Sequence, residues 1–268
     1  MRLLFFSNAY PQPSDPGRAV FNFDMVRHLA QKHDVRAVVP VPWTEAVAEK
    51  LRRRHRGREI PPGPAAFYPL SVFPPHFFTA SRASWMDYST RGAVTKALSS
   101  WRPDAVLAYW ADPDGTVAMS VARRARTRGV IMVGGTDVLL LTLEPRRRAA
   151  IVTALRQADA VVAVSEHLRD RVIELGVPPE FVHVVRRPVD PDHFRPGDRV
   201  AARRHVGIAT DGPVIVWAGR LVPVKAVDTL LEAFSTLLRA HPNARLFLLG
   251  SGPLRGDLEL LAKSLGTG

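Results

Sequence analysis

The sequence predicts an α/β protein: a complete Rossmann-like, doubly wound parallel sheet followed by the first half of a second Rossmann-like layer. Three observations predict it. Short apolar runs alternate with stretches of helical spacing along most of the chain, from RLLFFS at residues 2–7 to RLFLL at residues 245–249. Loops rich in Gly, Pro, Asp and Asn close these runs. One stretch, residues 214–232 (VIVWAGRLVPVKAVDTLLE), contains a strand, a tight loop and a helix start in direct succession.

Residues 2–7 form the first strand. Residues 8–18 (NAYPQPSDPGR) are a turn-rich loop, and a helix follows over about residues 19–32, with Phe21, Phe23, Val26, Leu29 and Ala30 available for packing. Residues 35–39 are the second strand, completing a β-loop-α-β opening. Gly17 sits just before the helix, where a phosphate or sugar can approach the backbone; a plain loop glycine is the equal alternative. Residues 45–75 are the least regular part, with a basic run at residues 51–58 (LRRRHRGR) and PPGP at residues 61–64, and read as a solvated excursion. Residues 72–88 (VFPPHFFTASRASWMDY) set aromatics beside His76 and Arg82; the segment either touches a membrane or lipid-linked molecule or folds inward as core.

A helix over residues 89–100 leads to a strand at residues 105–109. The loop WADPDG, with Asp112, lies at its C-terminal end, where doubly wound sheets keep their ligands. Residues 116–128 read as a helix with Gly129 as its C-cap, and residues 130–133 as a strand. GGTD follows at residues 134–137; Asp137 either orders this loop, touches a sugar hydroxyl or caps a helix. Pro145 opens a helix that reaches about Gln157. Residues 158–177 give a strand, a cap at Ser165, an amphipathic helix and a C-cap at Gly176; Ser165 is either a plain cap or a group facing the ligand cleft. Residues 181–185 are the last strand of a first domain spanning 1–196, and 197–213 read as a linker. The second domain begins with residues 214–218, an apolar run suited to a strand covered on both faces. Gly219 ends it, Arg220 and Lys225 flank Pro223, and a helix starts near residue 226. Backbone N–H groups and the helix dipole make such a junction an anion site, and an Arg with a Lys suits a diphosphate. A strand at 245–249, the loop GSGP at 250–253 and a last helix complete the chain.

The string GRLVPVKAVDTLLEAF, Gly219 to Phe234, closely resembles the G-R-L-x-x-x-K-G-x-x-x-L-[IL]-x-A-F motif of retaining glycosyltransferases of family 4. ADAVVAVS at 158–165, V-D-x-x-x-F-x-P at 189–196 and G-x-G-P at 250–253 match further motifs of that family. The P-x-x-x-x-P-G-x-x-x-F run at 11–21 most resembles its branch that builds cell-surface polysaccharides of the teichuronic-acid or exopolysaccharide type. The resemblance implies the GT-B fold, with an active site in a cleft between two Rossmann-like domains. It implies transfer of a sugar from a nucleotide-sugar donor to a polysaccharide or lipid-linked acceptor, with retention. Arg220 and Lys225 would bind and stabilise the leaving diphosphate without a metal or other cofactor, and Gly219, Gly250 and Gly252 would let backbone approach the donor. Gly17, Asp112, Gly135, Asp137 and Ser165 would line the acceptor side of the cleft. The chain departs from the family at four places, the first being Pro16-Gly17-Arg18, where the family often has a Gly-Gly pair. Ala226 replaces a Gly, a mild change if its φ is negative. Gly134 replaces a His or Arg, and Arg187-Pro188 replaces an Asn-Gly turn that needs a positive φ, which Pro cannot adopt.

Composition narrows the partners. The 268 residues carry a net charge of +12, and 32 of the 37 cationic side chains are Arg. No basic stripe with interleaved aromatics or known module points to nucleic acid. The charge fits an anionic membrane surface or acceptor, or an Arg-rich coding bias spread over solvated faces. No cysteine is present, no apolar run reaches the roughly 18–20 residues of a membrane span, and MRLLFFSNAY lacks a signal-peptide layout, so a cytoplasmic protein, at most peripheral at the inner membrane face, is expected. The base- and ribose-binding half of the family's second domain has no counterpart before Gly268. The expectation is therefore about two thirds of an enzyme, as a truncated product or with the remainder on a separate chain. The alternatives are a non-catalytic binding subunit and a sugar-nucleotide epimerase of the same fold, which would need an acid/base carboxylate pair.

Overall fold

The computed structural model of the protein describes residues 1–52, 62–73, 81–192, 194–208 and 211–267. The chain divides into two compact units, Met1–Pro188 and Val189–Gly268.

The first unit is built on a seven-stranded parallel sheet. Its strands are β1 (Arg2–Phe6), β2 (Asp34–Val38), β4 (Ala65–Phe67), β6 (Ala105–Tyr109), β7 (Arg128–Val133), β8 (Ala160–Ala163) and β9 (Val182–Val184), with β3 (Val41–Pro42) and β5 (Leu70–Ser71) as a separate short pair. The order β4-β2-β1-β6-β7-β8-β9 runs outward from β1 in both directions. Successive connections therefore diverge between β1 and β6, and a crevice opens at the C-terminal ends of these two strands. Alternation along β1 shows why both faces are covered. Leu4 and Phe6 join a core with residues of α3 (Arg82–Leu98), α4 (Thr116–Ala125), α6 (Pro145–Gln157) and α7 (Glu166–Glu174). Phe5 faces the other way, onto Tyr10 and onto Phe23 and Val26 of α1 (Val20–Leu29), with ring centroids 5.7 Å apart for Phe5–Tyr10 and 5.8 Å for Tyr10–Phe23.

Several elements differ from the sequence expectation. The stretch read as irregular holds α2 (Trp43–Arg52) and the edge strand β4. Three residues are too few to show a period, and α2 is largely polar. Arg53–Arg58 of the basic run, Pro61, and residues 74–80 with His76 lie outside the described residues. Residues 82–88, read as a loop, are the first turns of α3: Ala83 and Met86 are buried, Trp85 and Tyr88 exposed. Helix α4 ends at Ala125 with Arg126 in the left-handed conformation, φ 53°, so Gly129 is not its cap. Gly129 lies inside β7, where a Cβ would stand 2.6 Å from Met119 Sδ; the glycine lets α4 pack on the strand. Helix α6 has the expected bounds, and Ser165 caps α7, accepting from Leu168 N at 3.3 Å. A four-residue helix, α5 (Thr136–Leu139), follows β7.

The second unit contains α8 (Arg199–His205), β10 (Val214–Ala218), α9 (Val227–Ala240), β11 (Arg245–Leu249) and α10 (Arg255–Ser264). Helix α8 falls within the stretch read as a linker, and Asp198 caps it through Val200 N (2.8 Å) and Ala201 N (3.2 Å). The parallel strands β10 and β11 carry a core of Leu221, Val227, Leu231 and Leu258, with Trp217, Leu246 and Leu248 packed against it. Val216, Phe247 and Leu249 point away and are exposed. The covering of both faces of β10 expected from its apolar run is thus found on one face only, because the cluster that holds α9 and α10 lies on a single side.

Candidate functional site

In the second unit the candidate residues meet where β10 passes into α9. Val222 N donates to Arg220 O, Lys225 N to Val222 O and Ala226 N to Pro223 O, each at 3.0 Å, so residues 220–226 form one tight loop. Arg220 and Lys225 are exposed, and among the described residues neither has a carboxylate partner. The loop after β11 holds this one in place. Gly219 N donates to Leu249 O (2.9 Å), Leu221 N to Ser251 O (3.0 Å) and Leu254 N to Leu221 O (3.2 Å). A Cβ on Gly250 would come within 1.8 Å of Gly219 O, and one on Gly252 within 2.2 Å of Leu221 O. Both glycines are therefore required by backbone meeting backbone, before any ligand is considered. Ala226, which precedes α9, has φ 46° and ψ 46°. The condition for a mild Gly-to-Ala change is not met: this alanine occupies a left-handed position.

In the first unit the crevice between β1 and β6 is laced by side chain to backbone bonds. Ser7 Oγ donates to Tyr109 O (3.0 Å), and Asn8 N donates to Asp114 Oδ1 (2.6 Å). The turn after β6 closes through Gly115 N to Trp110 O (2.9 Å). Asp112 is buried and accepts from Thr116 Oγ1 (3.0 Å); burial raises its carboxyl above the usual range. Asp114 is fully buried, its Oδ2 has no hydrogen-bonding partner among the described residues, and burial pushes its carboxyl up to about 7 against the opposing Asn8 amide. Asp137 is also fully buried. It accepts from Gly135 N (2.9 Å), Gly134 N (3.1 Å), Val138 N (3.2 Å) and, across the crevice, Ala111 N (3.2 Å). Its role here is to order two loops, with a backbone amide on each oxygen, rather than to cap a helix.

Asp112, Gly135 and Asp137 thus come together around the β6 and β7 ends. Gly135 needs its glycine at φ 112°, and a Cβ there would meet Leu168 of α7 at 3.9 Å, which brings the Ser165 cap into the same neighbourhood. Gly17 is itself exposed in the β1–α1 loop, with Asp15 Oδ1 at 3.7 Å as the one neighbour a Cβ there would meet among the described residues. Sequence reasoning missed five residues here: Phe21, Tyr109, Trp110, Asp114 and Arg187. The Arg187 guanidinium carbon lies 4.1 Å from the Phe21 ring centroid and 5.0 Å from that of Tyr109. Phe21 meets Tyr109 edge-on at 5.6 Å. Tyr109 is raised by burial, and the facing Arg187 and Trp110 donors oppose the rise. A Cβ on Gly134 would lie 2.4 Å from Tyr109 Oη and 2.6 Å from Trp110 Nε1, so these two rings fill the space in which the resembling family carries a His or Arg. The aromatic pair that ends β6 was the available signal; Arg187, 78 residues further on, gave none. No group of three or more His, Asp or Glu residues among those described could hold a metal ion.

The model of Glycosyltransferase Family 4 matches residues 17–193, and that of Glycosyl transferases group 1 matches residues 198–268. The chain is 24% identical over 265 residues to TuaC of Bacillus subtilis (strain 168), a protein named for teichuronic acid biosynthesis, covering 96% of this chain and 67% of TuaC. Sucrose-phosphate synthase from Thermosynechococcus elongatus superposes with a TM-score of 0.73 at 14% identity, over 100% of this chain and 68% of that one. Anabaena HepE in complex with UDP and glucose gives 0.68 at 14% identity, over 100% and 67%. At such identities the structural likeness shows the fold alone, an α/β fold of GT-B type. The chain spans about two thirds of the length of these three proteins.

Proposed function

The chain belongs to glycosyltransferase family 4, and from that premise we propose that the protein takes part in moving a sugar from a nucleotide-sugar donor to a cell-surface polysaccharide or a lipid-linked sugar, with retention. The observation that carries this reading is the β10–α9 loop. It presents Arg220 and Lys225, without carboxylate partners among the described residues, beside the N-terminus of a fourteen-residue helix, on a backbone fixed by Gly250 and Gly252. Two unpartnered cations at a helix start suit a diphosphate, and their charge would be worth most as the bond from the sugar to the diphosphate breaks. The acceptor oxygen would take the place of the leaving group on the same face of the sugar. Similarity to TuaC, named for teichuronic acid biosynthesis, supports a polysaccharide as the product, and the UDP bound to HepE supports a nucleoside diphosphate as the leaving group. The acceptor side is assigned to the crevice of the first unit, around Asp112, Gly135, Asp137 and the Ser165 cap.

Calorimetric titration with UDP-glucose and GDP-mannose tests the donor site. Arg220→Ala and Lys225→Ala are each expected to weaken the bound donor about 10-fold to 100-fold, since a charge-assisted hydrogen bond contributes roughly 1.5–3 kcal/mol. Unchanged affinity in both variants would remove the assignment. Peripheral contact with the inner membrane face is part of the same proposal. No described helix is long and apolar enough to cross a membrane. Instead, Trp85 and Tyr88 are exposed on α3 beside Val72, whose N–H bonds Ser89 Oγ, and Arg82 stacks on Phe73 at 4.8 Å. Flotation with anionic vesicles should be lost in a Trp85→Ser/Tyr88→Ser variant; equal flotation of both proteins would argue against it.

A further inference from the structure

The Arg187 cluster belongs to the first unit and is not among the residues assigned to the donor, and its geometry has the form of an anion reader. The guanidinium lies against Phe21 on one side and Tyr109 on another, 4.1 Å and 5.0 Å from the two ring centroids. The two rings hold the guanidinium by its charge, which leaves its five N–H donors to be shared out. The Tyr109 hydroxyl takes part of that capacity. No ion pair joins Arg187 to a carboxylate among the described residues, and the nearby Asp137 has its oxygens engaged by four backbone amides. An arginine held by rings, exposed, and left without a counter-charge among the described residues keeps donors for an oxyanion that offers two oxygens. Holding the side chain in advance also reduces the entropy lost on binding.

Position strengthens the case. Tyr109 and Trp110 end β6, Phe21 opens α1 after the β1 loop, and Arg187 follows β9, so the cluster stands at the C-terminal edge of the parallel sheet, beside the crevice. Other cations share that edge. Arg82 and Arg147 act on the buried Asp112, and Arg18 acts on Asp114. Arg18 is held by Glu45 at 2.7 Å, whereas Arg82, Arg147 and Arg187 have no carboxylate ion pair among the described residues and leave positive charge at this edge.

We infer that Arg187, pre-set by Phe21 and Tyr109, recognises an oxyanion carried by the acceptor sugar, either a phosphate on the ring or a uronic carboxylate. This rests on the reading of the chain as a glycosyltransferase, but it is tested without turnover. The probes are glucose 1-phosphate, glucuronic acid and glucose, titrated calorimetrically at low and at physiological salt. The wild-type protein is expected to bind at least one charged sugar about tenfold or more tightly than glucose, with the preference falling as salt rises. Which charged probe binds tells phosphate from carboxylate. Arg187→Gln should bring the charged sugar to the glucose level, and Arg187→Lys should recover part of the preference, because a point charge replaces the fork. Phe21→Ala should lower the preference several-fold while Phe21→Tyr keeps it. UDP-glucose affinity, read in the same variants, should not change. Wild-type protein without a preference for either charged sugar, or an Arg187→Gln protein that retains it, overturns the inference. A preserved preference with no nucleotide-sugar binding would overturn the donor reading and leave this one standing.

Discussion

Ala226 shows how a single residue can be wrong for its backbone and still be kept. Its φ of 46° costs an alanine about 1–2 kcal/mol relative to the ordinary helical region, and a glycine pays almost none of this. Ala226→Gly is expected to stabilise the second unit by about 1 kcal/mol, visible as a higher midpoint in thermal melting; a lower midpoint would show that the alanine side chain contributes packing that outweighs the strain. Ala19, at φ 46° before α1, invites the same substitution. Asp114 makes a pH argument. Its folded value of about 7 lies above the ordinary 3.8, so the native state holds a proton that the unfolded chain releases. Stability is then greatest below about pH 4 as far as this group is concerned, and falls as pH rises to about 7, by a ceiling of about 4 kcal/mol. Denaturant titrations of Asp114→Asn should show a flatter dependence between pH 4 and 7. A slope equal to that of the wild type would mean that Asp114 is charged in the fold. The roles of Arg220, Lys225 and Ser165 could be proposed from the letters around them. Arg187 could not, because its partners come from α1 and β6, and no local pattern records a contact across 166 residues of chain.

Elements show which patterns survive folding. The apolar run of β1, the Pro145 start of α6 and the cap of α7 were legible because each depends on neighbours in sequence. The end of α4 was not: Arg126 takes the left-handed cap, and Gly129 is needed by Met119 inside β7. The pairing of α3 with α4 was equally hidden. Asp87 receives Arg124 through two nitrogens, at 2.8 and 3.0 Å, and Arg91 at 2.7 Å. Burial alone would raise this carboxyl, but the arginine bonds outweigh it and hold it below the usual range. A depressed folded value gives stability that is present above the ordinary 3.8 and lost as pH falls through the folded value. Arg124→Ala is expected to cost roughly 1–2 kcal/mol at pH 7, given its partial exposure, and less at pH 2. Chemical denaturation at the two pH values separates this from a simple packing loss, which would be equal at both. In the second unit, Gly250→Ala should weaken donor binding as strongly as Lys225→Ala, because its Cβ displaces the Gly219 carbonyl next to Arg220; an unchanged affinity would mean the loop adapts.

At the scale of the whole molecule, the two units are unequally provided with core. The largest buried cluster of Met1–Pro188 draws on six strands of the sheet, all but β4, and on helices α3 to α7, whereas Val189–Gly268 is centred on Leu221, Val227, Leu231 and Leu258 among the described residues. A smaller core leaves less to offset chain entropy. Limited chymotrypsin digestion is therefore expected to cut within residues 189–268 first and to leave a resistant piece near residues 1–188; the reverse order would place the weaker unit in front. The backbone lacing between the loops after β10 and β11 also has a consequence in time. Gly219, Leu221 and Leu254 share one ladder with the second loop, so their amides should exchange with solvent together, in a single opening event. Arg220 would then wait for its ligand in a rigid cradle, and its encounter with a diphosphate would be set by diffusion rather than by the swing of a flap.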